Sequence, residues 1–215
     1  SIYNADKSFE RVVQKYGKNF YYKYTFKTLY DDKKRYLGGF FVVQDNTLER
    51  HKTIHEHFLA SFDKLTGVYN RDMFLTTAEA VLKENPAKEF LMICSDIKNF
   101  KLINDEFGKT VGDEILINIA RTLEKYCRHP DVFGRIDNDR FGLLMPKEYY
   151  KEDLFLSQIS QIPKIKQNES YPISLYIGIY KIEDINIPVE IMCDRALLAL
   201  ETIKGNRQNY IAYYD

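Results

Sequence analysis

An alternation of strands and helices between residues 90 and 214 constrains the fold more than any other feature of this sequence. An apolar run from Phe90 to Ser95 predicts a buried strand that ends at Asp96. A helix is predicted before this strand, over 71–84. Further apolar patterns predict helices over 111–127 and 188–203, and strands over 131–136, 141–145, 173–180 and 210–214. We interpret this as a β-α-β-β-α-β order, which predicts an α+β, ferredoxin-like sandwich of helices on a mainly antiparallel sheet.

A short polar segment separates the two central strands of this pattern. Asp137-Asn138 forms a two-residue connection before Asp139-Arg140-Phe141. A type I′ turn needs a positive φ at both central residues, and Asp and Asn tolerate that conformation better than most residues. The sequence therefore predicts a tight hairpin with Asp137 and Asn138 at its turn.

The first 62 residues have a different pattern. Aromatic and β-branched residues predict strands over 20–30 and 36–44, a β-hairpin that must pack on something to be stable. The spacing of Phe9, Val12, Val13 and Tyr16 predicts a short helix that covers it. Two strands, a glycine break and a capped exit helix resemble the C-terminal part of a PAS sensor domain. The resemblance implies a partial sensor fragment over 1–47 and a signalling linker helix over 48–62.

The predicted linker helix carries a short heptad-like stripe. Its members alternate three and four residues apart: Leu48, His51, His55, Phe58, Phe62 and Leu65. One interpretation is the seam of a parallel homodimer. The other is an amphipathic helix that packs on its own domain. The sequence leaves both open.

Charge and cysteine usage exclude several classes of protein. Lys+Arg and Asp+Glu are equal at 31 each, so the chain lacks the excess of basic residues that a nucleic-acid or membrane-surface binder needs. The three cysteines lack any CxxC spacing, which argues against a disulfide framework or a zinc site. No apolar run approaches the ~20 residues of a membrane span. These features predict a cytoplasmic location, as a whole protein or as the cytoplasmic part of a larger, membrane-anchored one.

Three ordered motifs carry a more specific resemblance. They are Asp63-Lys-Leu-Thr-Gly-Val-Tyr-Asn-Arg71, the run from Asp96 to Asp105 with Gly108 and Gly112-Asp113, and Asp137-Asn-Asp-Arg-Phe141. Residues 63–215 resemble the GGDEF family, which makes cyclic di-GMP from two GTP molecules with the help of Mg²⁺. The resemblance implies a nucleotide-cyclase-like form of the predicted fold.

Several residues match the family's functional positions. By resemblance, Asp96 and Asp139 are metal carboxylates, Lys101 binds phosphate, and Asn104 and Asp113 read guanine. An Asp that accepts hydrogen bonds from the guanine N1 and N2 donors is chemically sensible.

Other positions depart from the family. Lys98 replaces the second Asp of a DxD pair, and Arg140 replaces the Glu of the hairpin. With Asp96 and Asp139, these four side chains sum to zero charge, so Mg²⁺ should bind poorly. We hypothesise that Arg140 or Lys98 pairs with Asp96 or Asp139 and takes the place of the metal.

Two further departures concern groups around the phosphates. Asp137 and Asn138 stand where the family has glycines, and Glu201 and Gly205 stand where it has a Lys and an Arg. Lys204 and Arg207 lie nearby and could substitute if the register slips.

A candidate regulatory motif precedes the hairpin. Arg128-His-Pro-Asp131 has the spacing of the family's RxxD product-inhibition site, which implies cyclic di-GMP binding. An arginine can donate a fork of hydrogen bonds to guanine or phosphate, and an Asp can accept from guanine.

Three functions remain open at this stage. The first is a regulatory GGDEF module with weak or no cyclase activity, which binds GTP or cyclic di-GMP and controls an attached domain such as an EAL phosphodiesterase. The second is an active diguanylate cyclase with a variant hairpin. The third is a dimerisation and relay module that binds no nucleotide.

Overall fold

The computed structural model describes residues 7–159, 173–206 and 210–215. The chain divides into two compact units, Ser1–Phe58 and Leu59–Asp215. None of the helices within the described ranges is long and apolar enough to cross a lipid bilayer.

The N-terminal unit is a three-stranded antiparallel sheet followed by a helix. Its strands are β1 (Lys7–Lys15), β2 (Lys18–Tyr30) and β3 (Tyr36–Asp45), in that spatial order, and α1 (Thr47–Ser61) follows. The predicted helix over 9–16 is wrong, because Phe9 pairs with Tyr24 across β1 and β2 and their rings stack at 5.1 Å. Phe9 and Val13 are four residues apart, a spacing that places side chains on one face of a strand as well as of a helix.

The first helix is shorter than the stripe predicted on it. Phe62 and Leu65 lie beyond its end at Ser61, and Leu65 packs against the core of the second unit. His51 Nε2 lies 3.0 Å from the carbonyl oxygen of Asn19 on β2. These contacts agree with packing of this part of α1 on its own unit, whereas a dimer seam stays a prediction.

The second unit is built on a five-stranded sheet. Its strands are β4 (Phe90–Ile97), β5 (Val132–Asp137), β6 (Arg140–Pro146), β7 (Leu175–Lys181) and β8 (Ile211–Tyr213). The spatial order is β5-β6-β4-β7-β8, with only β7 and β8 parallel. The predicted α+β class is confirmed, and β8 extends the four strands of the ferredoxin-like core.

Five α-helices of the described chain belong to this unit: α2 (Arg71–Glu84), α3 (Phe100–Phe107), α4 (Lys109–Glu124), α5 (Glu152–Ile159) and α6 (Val189–Glu201). Two of them were not predicted. Gly108, with φ of 85°, separates α3 from α4, so the motif after Asp96 is itself helical. The other is α5, whose eight residues are too few for a clear apolar period.

Strand β4 lies at the centre of the core and is buried along its whole length. Leu91, Ile93 and Ile97 face a cluster with α3 and α4. Met92 and Cys94 face the opposite cluster, with α2 and α6. Asp96 has the parity of Met92 and Cys94, so its carboxylate points to the side of the sheet covered by α6.

Candidate functional site

Asp96 occupies the last buried polar position of the central strand. In register it pairs with Arg140 on β6 and with Tyr176 on β7. The residue is only 7% exposed. A carboxylate at this depth needs charged or hydrogen-bonding partners, because desolvation of an unpaired charge is costly.

Those partners are two cations that share one oxygen of Asp96. Arg140 Nε donates to Asp96 Oδ2 at 3.0 Å, and Lys204 Nζ donates to the same atom at 3.1 Å. Glu201 Oε1 accepts from Lys204 Nζ at 2.8 Å and from the Arg140 guanidinium at 3.2 Å. The four side chains close into a cycle of alternating charge, which we call the charge ring (Asp96, Arg140, Glu201, Lys204).

The charge ring holds both cations in the charged form. Burial alone would lower the pKa of Arg140, but its hydrogen bond to Asp96 and the charges of Asp96 and Glu201 outweigh burial and raise the pKa. The pKa of Lys204 is likewise raised, because its bonds to Glu201 and Asp96 overcome the cost of burial. The cations therefore stay bound to the acids across the neutral range.

Asp139 lies beside the ring without joining it. Burial and the charge of Asp96 raise the pKa of its carboxyl, and Arg140 and Lys204 offset part of this effect. This half-buried acid is thus surrounded by the ring's mixed charges.

Lys98 takes a different role from the one hypothesised. Its ammonium lies over the rings of Tyr176, at 5.6 Å, and Tyr210, at 5.4 Å. Within the described residues it forms no ion pair with Asp96 or Asp139. The cation that pairs with Asp96 is Arg140, joined by Lys204, whereas Arg207 lies outside the described residues.

The arrangement does not fit a magnesium site. Mg²⁺ needs anionic oxygens in octahedral geometry and gives up its waters reluctantly. Asp96 Oδ2 already accepts from two cations, and the ring carries no net charge. In the described part of the chain, no group of three or more His, Cys, Asp or Glu residues is placed to hold a metal.

One cleft adjoins the ring and shares lining residues with a second cleft. The first, which we call the cationic cleft, measures about 570 Å³ and includes Asp96, Lys98, Arg140 and Lys204 in its lining. The second, the helix cleft, measures about 620 Å³ and lies against α3 and α4. Both clefts are lined by Phe100, Lys101 and Asp139. A ligand longer than either cleft could therefore extend across both.

The helix cleft contains both residues matched to guanine recognition. Asn104 on α3 and Asp113 on α4 line it together with Lys101. Asn104 Oδ1 is buried and has no hydrogen-bond partner among the residues that the structure describes. A Cβ built at Gly112 would lie 1.9 Å from this atom, so only glycine leaves room for the Asn104 amide. The structure thus brings the three predicted nucleotide residues to one cleft.

The hairpin forms, but not with the predicted turn. Its turn residues are Asn138 and Asp139, and Asp137 pairs with Arg140. None of residues 137–139 has a positive φ, so the predicted type I′ turn is wrong. The cause is an irregularity in register between Arg135 and Asp137, which displaces the turn by one residue. Phe141 follows as a fully buried core residue.

Arg135 was missed by the sequence analysis and ties the hairpin to another motif. Its Nη1 donates to Asp63 Oδ1 at 3.0 Å, and its Nε donates to the carbonyl oxygen of Asn138 at 3.0 Å. Asp63 Oδ1 also accepts from the backbone N–H of Thr66 at 2.9 Å. Arg135 therefore positions the turn that carries Asp139. The signal in the sequence was a lone arginine inside a predicted strand.

The predicted RxxD site lies apart from these clefts. The backbone N–H of Arg128 donates to Asp131 Oδ2 at 2.9 Å, and Asp131 Oδ1 is buried with no hydrogen-bond partner in the described part of the chain. Burial raises the pKa of the Asp131 carboxyl, although its contacts with Arg128 lower it in part. Both residues border a separate cavity of about 360 Å³. The carboxylate therefore folds inward, while Arg128 is exposed.

The sheet order and the helices on both of its faces define a nucleotide-cyclase-like domain. Residues 60–210 match the family model described as "Diguanylate cyclase, GGDEF domain". Since this match covers more than half of the chain, the protein belongs to the GGDEF family.

Individual proteins agree with this assignment. The chain is 25% identical, over its whole length, to the probable diguanylate cyclase DgcE of Escherichia coli, and 29% identical, over 85% of its length, to the cyclic di-GMP phosphodiesterase PdeB of Shewanella oneidensis. It spans 21% and 22% of the length of these two relatives. A solved structure of the coiled coil and GGDEF domain of DgcB from Caulobacter crescentus, in complex with c-di-GMP, superposes with a TM-score of 0.63 at 19% identity, covering 77% of this chain and 92% of that one.

Proposed function

We propose that this chain is a regulatory GGDEF module of cyclic di-GMP signalling that binds a guanine nucleotide and has weak or no cyclase activity. The observation that supports this most directly is that Asp96 Oδ2 accepts hydrogen bonds from both Arg140 and Lys204. The family reaction transfers a nucleotidyl group between two GTP molecules, and carboxylates hold the metal ions that stabilise the negative charge developing on phosphate. Here the central carboxylate is neutralised by the protein itself.

Nucleotide binding and catalysis are separable in this site. Asn104 and Asp113 line the helix cleft, whose lining includes no member of the charge ring, and Lys101 lines both clefts. The pairing of Asp96 with Arg140 and Lys204 therefore leaves the base-reading groups in place. A domain of this kind can respond to GTP concentration and pass the response to an attached domain, such as an EAL phosphodiesterase.

The proposal is tested by binding and turnover measured on the same preparation. Calorimetry with GTP should give a saturable isotherm, while chromatography after incubation with GTP and Mg²⁺ should show at most trace cyclic di-GMP. A GGDEF protein of established cyclase activity, assayed in parallel, checks the conditions. Sustained formation of cyclic di-GMP would establish the rival function, an active cyclase. Absence of any nucleotide binding would favour the relay module.

Three further elements of the proposal concern dimerisation, the N-terminal unit and a second ligand. Helix α1 would join two copies in a homodimer, since its Leu48 is 85% exposed. The N-terminal sheet would belong to a PAS-like sensor. Cyclic di-GMP would bind through the exposed Arg128, at the spacing of the family's inhibition site.

A further inference from the structure

We propose that the cationic cleft binds the phosphates of a guanine nucleotide directly through basic side chains, without a divalent metal. This inference rests on the proposed nucleotide binding and specifies how the phosphates are held. It follows from the charge of the cleft, the free donors of the ring cations and the continuity of the two clefts.

The charge of the lining favours an anion over a metal ion. Four cations line the cationic cleft: Lys98, Lys101, Arg140 and Lys204. Two carboxylates, Asp96 and Asp139, belong to the same lining, and Glu201 contacts Arg140 and Lys204 from outside it. The lining therefore has an excess of positive charge, which attracts a polyphosphate and opposes a divalent cation.

The ring cations keep hydrogen-bond donors that the ring does not use. Lys204 has three N–H groups and donates two hydrogen bonds, to Asp96 and Glu201. Arg140 has five N–H groups and likewise donates to Asp96 and Glu201. The acids hold each cation in place, so its remaining donors are fixed before a ligand arrives. Such charge-assisted bonds to phosphate are among the stronger ones that proteins form.

A metal would have to undo this arrangement. To coordinate Asp96 Oδ2, Mg²⁺ must displace both Arg140 and Lys204 from the same oxygen. A phosphate needs no such displacement, because it uses the donors that point away from the ring.

The position of the two clefts suits a nucleotide. With the base among Asn104 and Asp113, its phosphates would pass Lys101, which lines both clefts. Lys101 makes no ion pair within the described residues, so its ammonium is available to them. Lys98, whose ammonium lies over the rings of Tyr176 and Tyr210, also lines the cationic cleft and would add positive charge there.

The direct test is calorimetry of the whole chain with GTP, once in EDTA and once in excess Mg²⁺. We expect binding in EDTA, with affinity unchanged or weakened when Mg²⁺ screens the phosphates. Binding that requires Mg²⁺ would overturn the inference and leave the proposed nucleotide binding intact. Absence of binding in both conditions would reject both.

Two variants sharpen this test. Lys204→Ala should weaken the binding of GTP in EDTA about tenfold, which is the size expected for the loss of one charge-assisted hydrogen bond. Arg140→Glu restores an acid beside Asp96 and should make GTP binding depend on Mg²⁺. Lys147→Ala is the matched control, since Lys147 pairs with Glu89 at 2.7 Å and lines neither cleft. Circular dichroism melts verify folding. Unchanged affinity of folded Lys204→Ala in EDTA would count against direct phosphate binding.

Discussion

Lys204 Nζ lies 3.1 Å from Asp96 Oδ2, although the two residues are 108 positions apart in the sequence. The contact joins the end of the central strand to the turn that follows α6. Glu201 and Arg140 complete the same ring, so each member is in contact with two side chains of opposite charge. A single substitution in this ring therefore changes the electrostatics of the whole cationic cleft.

Replacement of Asn104 by Ala should weaken GTP binding about tenfold or more. Asn104 lines the helix cleft, and the lost amide leaves a guanine donor or acceptor without a partner. Calorimetry in the buffer that supports wild-type binding measures the effect. Asp105→Ala, an exposed change on the same helix, is the control and should leave the affinity unaltered. Equal affinity in Asn104→Ala and wild type would show that the base is read elsewhere.

Replacement of Gly112 by Ala should damage the same cleft through sterics alone. The added Cβ would lie 1.9 Å from Asn104 Oδ1, so the amide must move or the helices must part. Overpacking of this kind costs about 1–3 kcal/mol of stability. We expect a lower melting temperature together with weaker GTP binding. Thr110→Ala, at an exposed position of α4, should change neither quantity. A Gly112→Ala protein with wild-type stability and affinity would contradict the close packing.

The sequence allowed much of the GGDEF unit to be predicted, and the exceptions have physical reasons. The central strand was found because its residues form one continuous apolar run before Asp96. The turn of the hairpin was misplaced, because a register irregularity after Arg135 leaves no trace in local propensity. The prediction of a helix over 9–16 was wrong because a spacing of four residues fits the periods of both a helix and a strand.

The side chains that contact Asp96 could likewise be predicted only in part from the sequence. Arg140 could be proposed from its motif, since neighbouring strands pair in register. Glu201 was expected only as a loss of positive charge, and Lys204 only as a nearby substitute. Their joint contact with Asp96 and Arg140 depends on how α6 packs over the sheet, which is set by long-range contacts such as Gly178 beneath Ala196. No local pattern encodes such a contact.

Replacement of Arg128 by Ala should abolish or strongly weaken any binding of cyclic di-GMP. Arg128 is exposed, whereas the Asp131 carboxylate is turned inward and accepts from the Arg128 backbone N–H. We therefore expect the arginine to supply most of the affinity. Titration with cyclic di-GMP, monitored by calorimetry, tests this expectation. Arg121→Ala, an exposed change on α4, serves as the control. Retained binding in Arg128→Ala would place the ligand at another surface.

Replacement of Asp63 by Asn should destabilise the second unit and change its response to acid. Asp63 Oδ1 accepts hydrogen bonds from Thr66 and from Arg135 Nη1. Loss of the charged acceptor should lower the free energy of unfolding by about 1–3 kcal/mol. Burial raises the pKa of Asp63, but these hydrogen bonds outweigh burial and hold the pKa below its usual 3.8. A carboxyl with a lowered pKa stabilises the fold above its unfolded pKa and loses that contribution as the pH falls through the folded value.

The difference in stability between wild type and Asp63→Asn should therefore be constant near neutral pH and shrink below about pH 4. Urea unfolding at several pH values, monitored by circular dichroism, measures this difference. Asp72→Asn, at an exposed position in the first turn of α2, is the control for loss of one carboxylate. A difference that stays constant down to pH 2 would mean that the Asp63 carboxylate gains nothing from its charge. In that case Arg135 would position the hairpin through Asn138 alone.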